Sequence, residues 1–125
     1  MDRKPIRRVP AKSFTDLEIW QRAHQFVLDV YRLTATFPQE ERFGLISQFR
    51  RAAISVPANI AEGFRKYSIA DKARFMNIAE GSIEECEYYC LLAQDLGYGD
   101  TRALRSALDT VRAKLSAYIA RLRNR

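Results

Sequence analysis

Residues 50–64 read RRAAISVPANIAEGF, and this stretch decides the fold. From residue 52 to residue 61 every position is apolar except Ser55 and Asn59. Such a segment, lying in a helical pattern, has to be covered on more than one flank. Its polar residues step by three or four: Gln48, Arg51, Ser55, Asn59, Glu62 and then Lys66 form one stripe. Pro57 sits within it, where it removes one backbone donor and crowds the carbonyl four residues earlier. The reading is a helix with a narrow polar seam, buried elsewhere and kinked near Pro57. A helix of that kind points to an assembling protein before a catalyst.

Outward from this stretch, the chain of 125 residues has room for one domain with a real core. A hydrophobic content of 47% is too high for disorder. Glycine and proline number only five and four, so the interior favours long helices. No apolar run reaches membrane-spanning length, so no membrane partner is expected. The first twelve residues are basic without an apolar core, unlike a secretory signal, and a cytoplasmic location is expected.

Periodicity predicts four helices, each of more than twenty residues and roughly 33–42 Å long. The first is expected to open on a capping box, Thr15-x-x-Glu18 with Phe14 as staple, and to bury Leu17, Trp20, Ala23, Val27, Val30, Tyr31 and Thr34. The second begins near Glu40 and buries Leu45, Phe49, Ala52, Val56, Ile60 and Phe64. Ser68 caps the third, which carries Phe75, Ile78, Ser82, Cys86, Tyr89, Ala93 and Leu96 and ends at Gly97. Asp100 caps the fourth, with Leu104, Leu108, Val111, Leu115, Tyr118 and Leu122 on its core face. Short connections make neighbours antiparallel. The expected fold is all-α, an antiparallel up-down-up-down four-helix bundle over residues 14–125, with residues 1–13 as a basic flexible arm.

RRAAISVPANIAEGF, Phe75, AEGSIEECEYY, the LGY at residues 96–98 and the opening FTDLEIWQRA together resemble the four-helix-bundle proteins encoded in intervening sequences of bacterial 23S ribosomal RNA genes. The resemblance covers about residues 14–122. These proteins are similar to the accessory protein of diversity-generating retroelements, which has a basic surface and binds nucleic acid and a reverse transcriptase. The resemblance implies a ring-shaped homopentamer and no established activity. The fourth helix and the basic extension carry none of the matching motifs.

Charge is uneven. Arg3, Lys4, Arg7, Arg8 and Lys12 face only Asp2 in the first twelve residues. The fourth helix carries Arg102, Arg105, Arg112 and Lys114 and three further arginines against Asp100 and Asp109, whereas the third is acidic. Arg102, Arg105 and Arg112 return to nearly one side and predict a basic stripe for RNA or DNA, with the arm residues adding to it. Without aromatics on that stripe, little sequence selectivity is expected. The competing readings are that these cations keep a bundle soluble and complement a helix C-terminus, or that the chain is a scaffold docking a protein partner such as a reverse transcriptase or ribosomal component.

Catalytic signals are weak, and no cofactor or metal is expected. His24 has no nucleophile partner, and Cys86 and Cys90, one turn apart, read as buried free thiols more than as metal ligands. Glu62 and Glu85 are expected to be held by Arg50 or Arg51, within a subunit or across an interface, with Asn59 satisfying backbone near Pro57. Gly63 and Gly81 are read as points where another helix approaches closely. The second and third helices are expected to supply much of a homo-oligomeric interface.

Overall fold

The computed structural model describes residues 10–124. Ser13 starts the bundle: its hydroxyl accepts from the Thr15 amide, and Asp16 reaches back to the Ser13 amide, closing a capping box around a 3₁₀ turn at Phe14–Asp16. The box therefore sits two residues before the expected one. Leu17 turns extended, and α1 runs Glu18–Thr34. The chain then passes Phe37 and a second 3₁₀ turn at Gln39–Glu41 before α2, Leu45–Arg65. Glu40 and Glu41 thus precede α2 rather than open it, although the Glu41 carboxylate still accepts from the Leu45 amide at 3.5 Å. α3 spans Ile69–Asp95 and α4 spans Arg102–Arg123. At 1.5 Å per residue, α1 with 17 residues is about 26 Å long and α3 with 27 about 40 Å. α1 is shorter than expected because the 3₁₀ turn takes its first residues.

Two end signals fall where the sequence puts them. The Ser68 hydroxyl accepts from the Asp71 amide at 3.1 Å and starts α3. Gly97, with φ +76°, ends it in the left-handed conformation that favours glycine. At α4 the cap position belongs to Thr101, not Asp100. Thr101 is fully buried and its hydroxyl donates to the Cys90 carbonyl at 2.8 Å, so it ties the loop to α3. Asp100 accepts from the Arg102 amide at 3.0 Å.

Each helix packs on its sequence neighbours, and α4 closes against α1; the diagonal pairs stay apart. This is an antiparallel four-helix bundle, as expected, and no strand occurs among the described residues. Phe26, Phe49, Ile60, Met76, Ile83, Leu108 and Leu115 fill its centre. α2 and α3 are the most intimately packed pair. Gly63 explains part of this: a Cβ there would lie 2.7 Å from Met76 Cε, 3.1 Å from Phe75 Cβ and 3.3 Å from the Lys72 carbonyl oxygen. Gly81 is different. Nothing lies within 4 Å of where its Cβ would be, so no helix of the same subunit approaches it. Pro57 is buried inside α2, which continues through it to Arg65.

Candidate nucleic-acid interface and self-association face

Antiparallel packing lays basic α4 beside acidic α3. Arg105 Nε lies 3.1 Å from Glu87, and Arg112 Nε lies 3.0 Å from Glu84 with Asp109 also on its guanidinium. Arg102 pairs with Asp100 at 2.8 Å, and Lys114 reaches Glu18 on α1 at 3.2 Å. Arg102 holds the Asp100 carboxyl down to about 2. Lys114, with Arg22, likewise lowers Glu18. The arginines of the expected basic stripe are thus each paired with a carboxylate: Arg105 and Arg112 across the α3–α4 seam, and Arg102 with Asp100 just before α4.

The polar seam of α2 is a hydrogen-bonded chain. Ser82 Oγ donates to Ser55 Oγ at 2.7 Å, and Asn59 Nδ2 donates to Ser55 Oγ at 3.0 Å and to the Ser55 carbonyl at 2.8 Å. Asn59 therefore does satisfy backbone beside Pro57. Arg50 leaves the seam: its Nε donates to Thr34 Oγ1 at 2.8 Å and its guanidinium lies over the Tyr31 ring at 4.4 Å. Among the described residues Glu62 pairs with Lys66, at 3.9 Å. The expected Arg–Glu pair is not made within the subunit, because α1 captures Arg50. Arg51 and Glu85, both exposed, line a shallow cleft with Gln48, Ser55 and Ser82. On α3, Ile78 and Tyr88 are exposed at helical spacing from Glu85, whereas the exposed Ile54 lines a groove on the α1 side of α2 with Trp20 and His24.

Cations gather at one end of the bundle. The up-down-up-down order brings the start of α1, the end of α2, the start of α3 and the end of α4 to the same pole. There the end of α2 carries Arg65, the link carries Lys66, the first turns of α3 carry Lys72 and Arg74, and the last turn of α4 carries Arg121 and Arg123. Lys12 lines a groove with Arg65, Phe14 and Phe64. Asp16, Glu18, Glu62 and Asp71 are the acidic residues nearby in sequence. The opposite pole holds Glu40, Glu41, Asp95 and Asp100 with Arg32, Arg42 and Arg102. Arg3, Lys4, Arg7 and Arg8 lie outside the described residues. The sequence signal of this basic hairpin is the run FRKYS at residues 64–68, followed by Lys72, Arg74 and Phe75.

Cys86 and Cys90 are free and buried, and burial pushes the Cys86 thiol far up and Cys90 up to about 12. Among the described residues no group of three or more His, Cys, Asp or Glu is placed to hold a metal. His24 stacks on Trp20 with ring centroids 5.0 Å apart. No helix of the described residues is long and apolar enough to cross a membrane.

A crystal structure of a protein of unknown function from the S23 ribosomal protein family of Bacteroides thetaiotaomicron is similar in fold. Its TM-score is 0.76 at 23% identity, and the alignment covers 82% of this chain and 95% of that one. No curated protein matches the chain. The family described as 23S rRNA-intervening sequence protein matches residues 15–117. That match spans all the helices but the last turns of α4, and with it this chain belongs to the 23S rRNA-intervening sequence protein family.

Proposed function

We propose that this protein is a non-catalytic, self-associating nucleic-acid-binding protein that engages phosphate at its basic pole. The observation that carries the reading is the convergence of Arg65, Lys66, Lys72, Arg74, Arg121 and Arg123, with Lys12, at one end of the bundle. Cations so clustered bind phosphate by releasing counterions, with strong salt dependence and little sequence readout. Self-association is supported by the exposed Ile78 and Tyr88 on the helix that carries Glu85, and by Arg51 and Glu85, which have no ion pair among the described residues. A homopentamer is the assembly that the family resemblance implies, and it would repeat the pole several times on one particle.

Fluorescence anisotropy with labelled RNA and duplex DNA tests the reading. The protein should bind at about 50 mM salt and lose roughly tenfold or more in affinity by about 200 mM. Replacing Arg65 and Arg74 with Gln should weaken binding, whereas replacing Arg102, Arg105 and Arg112 should change it little. Absence of binding at low salt would leave a scaffold for a protein partner, such as a reverse transcriptase or ribosomal component, as the better reading.

A further inference from the structure

The three-residue link between α2 and α3 places Tyr67 at its tip, and this ring is 100% exposed. A single exposed aromatic is ordinary on a protein surface. Its surroundings are not. Lys66 Nζ lies 5.1 Å from the centroid of the Phe75 ring, and the Arg74 guanidinium lies 4.9 Å from the same ring. Lys72 Nζ lies 5.5 Å from the Phe64 ring and donates to the Phe64 carbonyl at 2.7 Å. The cations beside Tyr67 are therefore held against ring faces rather than left on freely swinging stems. Among the described residues neither Arg65 nor Arg74 meets a carboxylate. Tyr67, two residues after Arg65, has both faces open.

We propose that the α2–α3 hairpin recognises unpaired nucleotides, Tyr67 stacking on a base while Arg65, Lys66 and Arg74 hold the flanking phosphates. The inference rests on the nucleic-acid reading above and narrows it from nucleic acid in general to single-stranded segments, loops or ends. A base inside a duplex has both faces covered by its neighbours, so an exposed ring gains nothing from it. An unpaired base offers a free π-face, whatever its identity, and this matches a site with cations and an aromatic but no base-edge readers. A lipid surface is the other partner that such a tip could meet. It is less well fitted, because Phe64 and Phe75 are covered by cations and Tyr67 and Ile69 are the apolar groups the link leaves exposed.

The test compares full-length wild type, Tyr67→Ala and Tyr67→Phe, titrated by anisotropy against one short RNA as a single strand and as a duplex at about 50 mM salt. Tyr67 packs on nothing, so both variants should fold as wild type does. Wild type should prefer the single strand. Tyr67→Ala should weaken single-strand binding about tenfold, the scale of one base–aromatic stack, and change duplex binding less than about twofold. Tyr67→Phe should bind as wild type. Salt-sensitive binding by wild type that Tyr67→Ala leaves intact, or weakens equally for both ligands, overturns the stacking role while the phosphate reading stands. No oligonucleotide binding, with or without binding to anionic phospholipid vesicles, overturns both.

Discussion

The Ser82 hydroxyl donates to Ser55 Oγ at 2.7 Å, joining α3 to α2 in the middle of the most closely packed interface of the bundle. Ser55 Oγ also accepts from Asn59, so the three side chains form one chain. Ser82→Ala removes the link but leaves Ser55 a partner. The loss should be about 1 kcal/mol, the usual net value of a hydrogen bond, or about 4 °C in Tm. Thermal unfolding by circular dichroism measures it.

Gly63 and Gly81 both lie in helices and should respond oppositely to alanine. At Gly63 the new Cβ meets Phe75 Cβ and the Lys72 backbone, neither of which can swing away. Overpacking should outweigh the helix propensity gained, for a net loss of about 1–2 kcal/mol. At Gly81 the space is open, and Gly81→Ala should stabilise the isolated subunit by up to about 1 kcal/mol. Chemical denaturation of both variants reads the two signs. If Gly81→Ala strengthens the subunit yet breaks an assembly, light scattering will place Gly81 at the interface.

Arg51 and Glu85 line one cleft without an ion pair between them in the subunit. Glu85→Ala should therefore act on assembly, whereas Glu84→Ala removes only the solvent-exposed pair with Arg112, a small loss within the subunit. We expect Glu85→Ala to lower the mass seen by light scattering at micromolar protein, with a coupling loss of about 2–5 kcal/mol typical of a buried interfacial charge. Glu84→Ala should keep the wild-type mass. Charge reversal at Arg51 should dissociate the assembly, and adding Glu85→Arg should restore it.

Tyr98 links the two loops at the acidic pole: its hydroxyl donates to Glu41 Oε2 at 2.8 Å and its ring lies 5.2 Å from that of Phe37. The bond to Glu41 raises the Tyr98 pKa above the ordinary tyrosine value, with burial adding to it. A group whose folded pKa is raised contributes its stability fully below the unfolded value of about 10 and loses it as pH rises through the folded one. Tyr98→Phe should lower Tm at pH 8 and flatten its decline above about pH 10. Parallel curves for wild type and variant would show that this bond carries no linkage.

Asp100 runs the other way. Arg102 holds its carboxyl down to about 2, so that interaction is present above about pH 4 and is lost as pH falls through about 2. Both partners are well exposed, so Arg102→Gln should change acid stability only slightly, as a pH titration of Tm can check.

Four helices, the Ser68 cap, the Gly97 stop and the buried faces of α2 and α4 were legible in the sequence alone. Their determinants lie within one or two turns of each other, where periodicity and backbone preference act. α1 and α3 were read less well. Tyr31 and Ile78 are exposed, and Ile19, Phe26, Met76 and Ile83 take the core, because the rotation of a broadly apolar helix is set by its neighbours. Charge was the least legible property. Arg105 and Arg112 look like a free stripe along α4, but their carboxylates stand on α3, at Glu87 and Glu84, and meet them only when the two helices lie antiparallel at one rotation. Arg50 in the same way goes to Thr34 on α1. The basic pole arises because helix directions bring distant ends together. Composition and period determine which segments are helical and which residues need burial. Which charges remain unpaired, and where they gather, follows only from packing, since an ion pair depends on a few ångströms between residues far apart in the chain.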